Sequence, residues 1–200
     1  MDRINKYIAE FIGTFLLTFG VLLSVSYGLA LPTPVIAGLI LGLLVYTIGG
    51  ISGTHINPAI TLGLLSIRKI SAKDALMYIV FQFLGACLAL ILGHFLTPAH
   101  IQVINSWSIF FGETLGTFIL AFGVSAVVMQ ESLSKMGGII IGGSLLLGIL
   151  FASPFSNGVL NPAVALGIGS FSLIYLISPI IGSVCGMQCM NYLQRKTKAN

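Results

Sequence analysis

The sequence predicts an all-α membrane protein of a single domain spanning residues 1–200. Six transmembrane helices and two re-entrant half-helices are expected, arranged as an inverted repeat with halves at approximately 1–100 and 107–200. Three observations carry this reading. First, 56% of the residues are hydrophobic and only 7% are charged, at a mean hydropathy of +1.06. A soluble domain of this size cannot hide so much apolar surface, so the bilayer is its solvent. Second, all nine Lys and Arg residues fall on one side of the membrane once six spans are drawn. Third, the second half of the chain repeats features of the first.

The spans fall at 7–29, 35–51, 75–96, 107–130, 137–153 and 171–193. The first has no small-residue cleavage site and is too long for a signal peptide's apolar core, so it reads as a retained helix. The second and fifth are short, Gly-containing and tightly bracketed. After each comes a polar run that passes into Asn-Pro-Ala: Ser52-Gly-Thr-His-Ile-Asn-Pro-Ala, then Ser156-Asn-Gly-Val-Leu-Asn-Pro-Ala. Asn57 and Asn161 are N-cap residues by type, and Pro58 and Pro162 suit the first helical position. About nine residues follow before each pattern breaks, roughly 13 Å of helix, which is under half the hydrocarbon core. These are half-helices.

With the N-terminus in the cytoplasm, Arg3 and Lys6 precede span one. Arg68, Lys69 and Lys73 follow span two, Lys135 follows span four, and Arg195, Lys196 and Lys198 follow span six. The opposite loops at 31–34, 97–106 and 153–170 carry no Lys or Arg. The positive-inside rule holds throughout, so both termini are expected in the cytoplasm. Glu10-Phe-Ile-Gly-Thr-Phe matches Glu113-Thr-Leu-Gly-Thr-Phe, and Tyr78-x3-Gln82-x2-Gly85 echoes Tyr175-x3-Pro179-x2-Gly182. Three spans per half is an odd number, so the halves must lie inverted and the half-helices must enter from opposite sides.

The irregular backbone before each motif, Gly53, Thr54, His55 and Ile56 in one loop and Asn157, Gly158, Val159 and Leu160 in the other, cannot face lipid unpaired. It must be buried or line a watery path, where its carbonyls form a ladder of acceptors. Asn57 and Asn161 can cap their own helices through the side-chain oxygen and leave the amide NH2 groups as donors. Two positive helix ends meet there and oppose cations, hydronium included, but not neutral molecules. The pattern predicts a pore for small uncharged solutes.

Here the chain resembles the aquaporins and glycerol facilitators, the major intrinsic proteins. The resemblance spans nearly the whole chain, through both Asn-Pro-Ala motifs, the Ser-Gly-x-His-x-Asn-Pro-Ala context, the Glu-x-x-Gly-Thr-Phe openings and the topology. It implies a homotetramer with one pore per subunit, in the plasma or inner membrane. It also implies that Pro58, Ala59, Pro162 and Ala163 belong to the pore motifs, and that Glu10 and Glu113 brace the loop backbone. By the same resemblance, His55 lines the cytoplasmic part of the pore. Most relatives carry an Arg three positions after the second Asn, where this chain has Val164. The other constriction positions fall by spacing on Ala37, Ile149 and Gly158, and the Asp of glycerol facilitators is replaced by Ala165. A wide, apolar constriction is therefore expected, passing glycerol- or urea-like solutes and water.

Nothing in the sequence points to an enzyme, a cofactor, a metal or nucleic-acid binding. Cys87, Cys185 and Cys189 read as free buried thiols with no metal spacing. His94 and His100 near the outer loop carry no assigned role. Trp107, Tyr7 and Tyr192 near span ends read as interfacial anchors. Gly13, Gly85, Gly116 and Gly182 suit close helix crossings. The competing readings are a water-selective aquaporin, a secondary transporter, which would need ionisable groups at the midplane, and a non-conducting structural homologue.

Overall fold

A computed structural model of the chain describes residues 3–97 and 106–197. His100 and Lys198 lie outside the described residues, as do the loop positions 98–105. The described residues fold into α1 (Arg3–Tyr27), α2 (Thr33–Ser52), α3 (Pro58–Ser66), α4 (Ala72–Leu96), α5 (Trp107–Met129), a 3-10 turn (Glu131–Met136), α6 (Gly137–Ala152), α7 (Pro162–Gly167) and α8 (Leu173–Thr197). Six segments are long and apolar enough to cross a membrane. They match the six expected spans, and α3 and α7 are the two short helices between them.

Helix ends shift from expectation where polar contacts extend them. α1 starts at Arg3 rather than Tyr7 because its first turns are tied down: Lys6 Nζ lies 2.8 Å from Asp74 Oδ2, and Tyr7 Oη donates to Asp74 Oδ1 at 2.7 Å. α4 starts at Ala72 because Ser71 Oγ accepts the Asp74 N–H at 3.1 Å, an N-cap. α1 stops at Tyr27, ahead of Gly28 at φ 56°. α8 runs on to Thr197 and passes through Pro179 without ending. Tyr7 is buried and is no interfacial anchor, whereas Trp107 and Tyr192 are exposed.

The cysteine reading also changes. All three thiols are free, but Cys185 is exposed and Cys87 and Cys189 are only half-buried in the chain. Outer faces of membrane helices are as apolar as inner ones, so hydropathy alone cannot assign a residue to the interior.

Close packing pairs α1 with α4, α5 with α8 and α2 with α6. Gly85 sits against the Phe11 carbonyl and Gly182 against the Thr114 carbonyl, so a Cβ at either would strike backbone. Gly38 and Gly42 of α2 meet Gly142 and Gly138 of α6 in the same way. With no hydrophobic drive between helices in lipid, such close approach supplies the packing energy. The same device serves both halves, and the short helices are held inside the frame it makes.

Candidate functional site

Each short helix begins as its sequence dictates. Asn57 Oδ1 accepts the Ala59 N–H at 2.8 Å, and Asn161 Oδ1 accepts those of Ala163 at 3.0 Å and Val164 at 3.3 Å. The amide groups are not wholly free. Asn57 Nδ2 donates to the Leu160 carbonyl and Asn161 Nδ2 to the Ile56 carbonyl, each at 2.9 Å. These reciprocal bonds lock the loops together and leave one N–H per amide. The two helices differ in length: α3 has nine residues and α7 only six. α7 ends early because the Ser170 N–H reaches back to the Ala165 carbonyl around Gly169, which sits at φ 79°.

The loops are strained. Thr54 and Ile56 have φ 50° and 39°, and Gly158 and Leu160 have 61° and 57°. A β-branched residue such as Ile56 pays for a positive φ, about 1–3 kcal/mol, so something must hold it. Glu10 does. Its carboxylate accepts from Ser52 Oγ at 2.7 Å, His55 N at 3.0 Å, Ile56 N at 2.6 Å and Gln82 Nε2 at 2.7 Å. Glu113 takes Ser156 Oγ at 2.7 Å, Val159 N at 3.0 Å and Leu160 N at 2.6 Å. Both carboxylates are fully buried. The second loop has no counterpart of the Gln82 bond, because Pro179 stands at the echoing position.

Between the loops and the helices lies a cavity of about 280 Å³. It extends along α6 from Ile141 to Ser153, roughly 18 Å at 1.5 Å per residue. Leu17, Val21, Leu41, Leu120, Val124 and Leu145 make an apolar wall. Facing it, Thr54, His55, Asn57, Asn157 and Asn161 supply the polar side. Ala37, Ile149, Gly158 and Val164 all border this one cavity, with Ile149 and Gly158 touching: a Cβ on Gly158 would lie 3.0 Å from Ile149 Cγ2. Ile56 and Val159 border it as well. Gly53, Leu160, Pro58, Ala59, Pro162 and Ala163 do not; Leu160 instead packs into the space left by Gly116 and Gly148. No Lys, Arg, Asp or Glu is among the lining residues. Among the described residues there is no group of side chains able to hold a metal.

The model of the family described as "Major intrinsic protein" matches residues 1–192. This chain belongs to that family. It is 31% identical to Aquaporin AqpM of Methanothermobacter thermautotrophicus, covering 94% of this chain and 97% of that one. It is also 31% identical to Glycerol uptake facilitator protein-like 6 of Lactiplantibacillus plantarum, over 92% of this chain and 96% of the relative. The X-ray structure of the aquaglyceroporin from Plasmodium falciparum shares its fold, with a TM-score of 0.80, 22% identity and 98% coverage of both chains.

For this major intrinsic protein, sequence reasoning missed the apolar wall. The signal was present in the repeat itself. Leu17 and Val21 stand 103 residues before Leu120 and Val124, the same separation as Glu10 from Glu113. Each pair is spaced four apart, on one helix face. It also missed Tyr78 and Tyr175, whose hydroxyls bond the Ser52 carbonyl at 2.7 Å and the Asn157 N–H at 3.0 Å. The Tyr-x3-Gln and Tyr-x3-Pro echo marked both positions without revealing what they touch.

Proposed function

We propose that the protein is a passive transmembrane channel for water and small uncharged solutes, and that its path takes solutes of glycerol and urea size. The observation that carries this is the cavity between the two Asn-Pro-Ala loops, polar on one side, apolar on the other and lined by no charged side chain. Ala37, Ile149, Gly158 and Val164 form the selectivity constriction. With Val164 where most relatives carry Arg, this constriction offers width and little polarity. Each Asn keeps one amide N–H for the permeant, the other being tied to the opposite loop.

Cations and protons are opposed by the inward-facing ends of α3 and α7, with the shorter α7 contributing less. The absence of midplane carboxylates facing the cavity speaks against a coupled transporter, since Glu10 and Glu113 are both spent on loop backbone. The protein is a homotetramer in the cell membrane with both termini in the cytoplasm, a reading supported by the one-sided Lys and Arg distribution and by family membership.

The test is stopped-flow light scattering on proteoliposomes under sucrose, glycerol and urea gradients. Fast glycerol or urea uptake upholds the solute channel. Fast water flow without solute uptake overturns the four-residue constriction, and no flux through folded protein overturns the channel.

A further inference from the structure

The first loop holds a histidine whose hydrogen-bond partners fix its tautomer. His55 Nδ1 lies 3.2 Å from Thr61 Oγ1. Thr61 is fully buried and its single hydroxyl oxygen has three neighbours. Gln82 Nε2 lies at 3.0 Å, the Asn57 carbonyl oxygen at 3.0 Å, and His55 Nδ1 completes the set. Gln82 is oriented beyond choice, because its Nε2 also reaches Glu10 Oε2 at 2.7 Å. Flipping that amide would set its oxygen against a carboxylate oxygen. Gln82 Nε2 therefore donates to Thr61.

Thr61 has one hydrogen to give and two remaining neighbours. If it gave that hydrogen to His55, two oxygens would face each other 3.0 Å apart with none between them. If it gives the hydrogen to the Asn57 carbonyl, all three contacts are attractive, provided His55 Nδ1 carries a proton and donates. The neutral ring then bears no proton on Nε2. Among the described residues no protein group bonds Nε2. The only side chain that could cover its edge is missing, since residue 53 is glycine and a Cβ there would sit 3.5 Å from both Cδ2 and Nε2. His55 lines the cavity.

We propose that Thr61, backed by Gln82, holds His55 in the Nδ1–H tautomer so that Nε2 stands in the path as a hydrogen-bond acceptor, which selects neutral solutes able to donate an O–H or N–H. The proposal rests on the channel reading above. It gives the path opposite polarity at two levels: spare amide donors at Asn57 and Asn161, and a bare nitrogen acceptor at His55. A hydroxyl or a urea-type amide answers both. Thr61 and Gln82 are positioning residues that act through the ring.

The chain has three histidines, so H94Q/H100Q protein leaves His55 as the single imidazole. Its nitrogen-15 spectrum in lipid nanodiscs should give a proton-bearing Nδ1 and a bare Nε2. Thr61→Val should move the ring to the other tautomer or to a mixture. In proteoliposomes the same variant should lower the glycerol-to-water permeability ratio about fivefold, the worth of one hydrogen bond. Thr61→Ser, which keeps the oxygen, should restore both readouts. A proton on Nε2 in the H94Q/H100Q spectrum overturns the proposal, and that spectrum requires no change to the network. A Thr61→Val tautomer change with an unaltered permeability ratio overturns its functional half. Protein that passes neither glycerol nor urea removes that half along with the solute reading, while the spectrum still decides the tautomer.

Discussion

At the residue scale, the buried carboxylates and the missing Arg make opposite kinds of prediction. Glu113 satisfies two backbone N–H groups and the Ser156 hydroxyl in a place water does not reach. Glu113→Ala leaves those donors unpaired, at about 1–3 kcal/mol each, and releases the strain stored at Leu160. Thermal melting in detergent should fall sharply or folded protein should be lost; an unchanged melt would refute the bracing role. Val164→Arg should do the reverse, keeping the fold and changing what passes. A guanidinium in the cavity narrows it and adds donors and charge. Glycerol flux should drop on the order of tenfold, about 1.4 kcal/mol of added barrier, while water flux persists. Equal solute selectivity in mutant and parent would remove Val164 from the constriction. Both sites were legible as residues. The Glu pair was visible because a carboxylate in an apolar helix demands a reason, and the Val because the motif beside it fixes its position.

At the element scale, stability depends on crossings made by glycine. Gly182→Ala puts a methyl group onto the Thr114 carbonyl and must push α8 away from α5. The expected loss is about 1–3 kcal/mol of stability, read as a lower melting temperature. Gly50→Ala in α2 meets nothing within 4 Å and should leave the melt unchanged. If the two variants melt alike, backbone contact is not what holds α5 to α8. The sequence pointed to Gly182 through its echo of Gly85, but the helix ends were less readable. α1 gained a turn from the Lys6–Asp74 pair, which joins segments far apart in the chain. α7 lost a turn to a backbone hydrogen bond around Gly169. Hydropathy registers neither kind of contact.

At the scale of the whole molecule, the inverted repeat makes a claim about sidedness. Cysteines introduced into a Cys-free background at Ser134 and Ser153 should react differently with an impermeant thiol reagent on intact cells. The residue at 153, beside the outer mouth, should label, and the one at 134, next to Lys135, should label only after lysis. The opposite pattern would reverse the proposed orientation. The repeat also makes the two loops mutually dependent. Each Asn amide bonds the carbonyl that precedes the other's motif, so neither loop has its geometry without its partner.

The sequence by itself determined the solvent, the six spans, the inversion and the two half-helix starts. These follow from local chemistry: apolar length, one-sided charge, an N-cap Asn before Pro, and an odd number of spans per half. It also marked Glu10, Glu113 and the constriction positions, since symmetry and motif spacing are properties of the chain. Only the tertiary structure decided which atoms answer those residues. The tie of each Asn amide to the far loop, the apolar wall opposite the carbonyls, the outward turn of Cys185 and the Glu10–Gln82–Thr61–His55 network join residues from separate helices. Hydrogen-bond partners are a matter of distance in space, and in a membrane protein hydropathy cannot supply that distance, because the faces turned to lipid and to protein are made of the same residues.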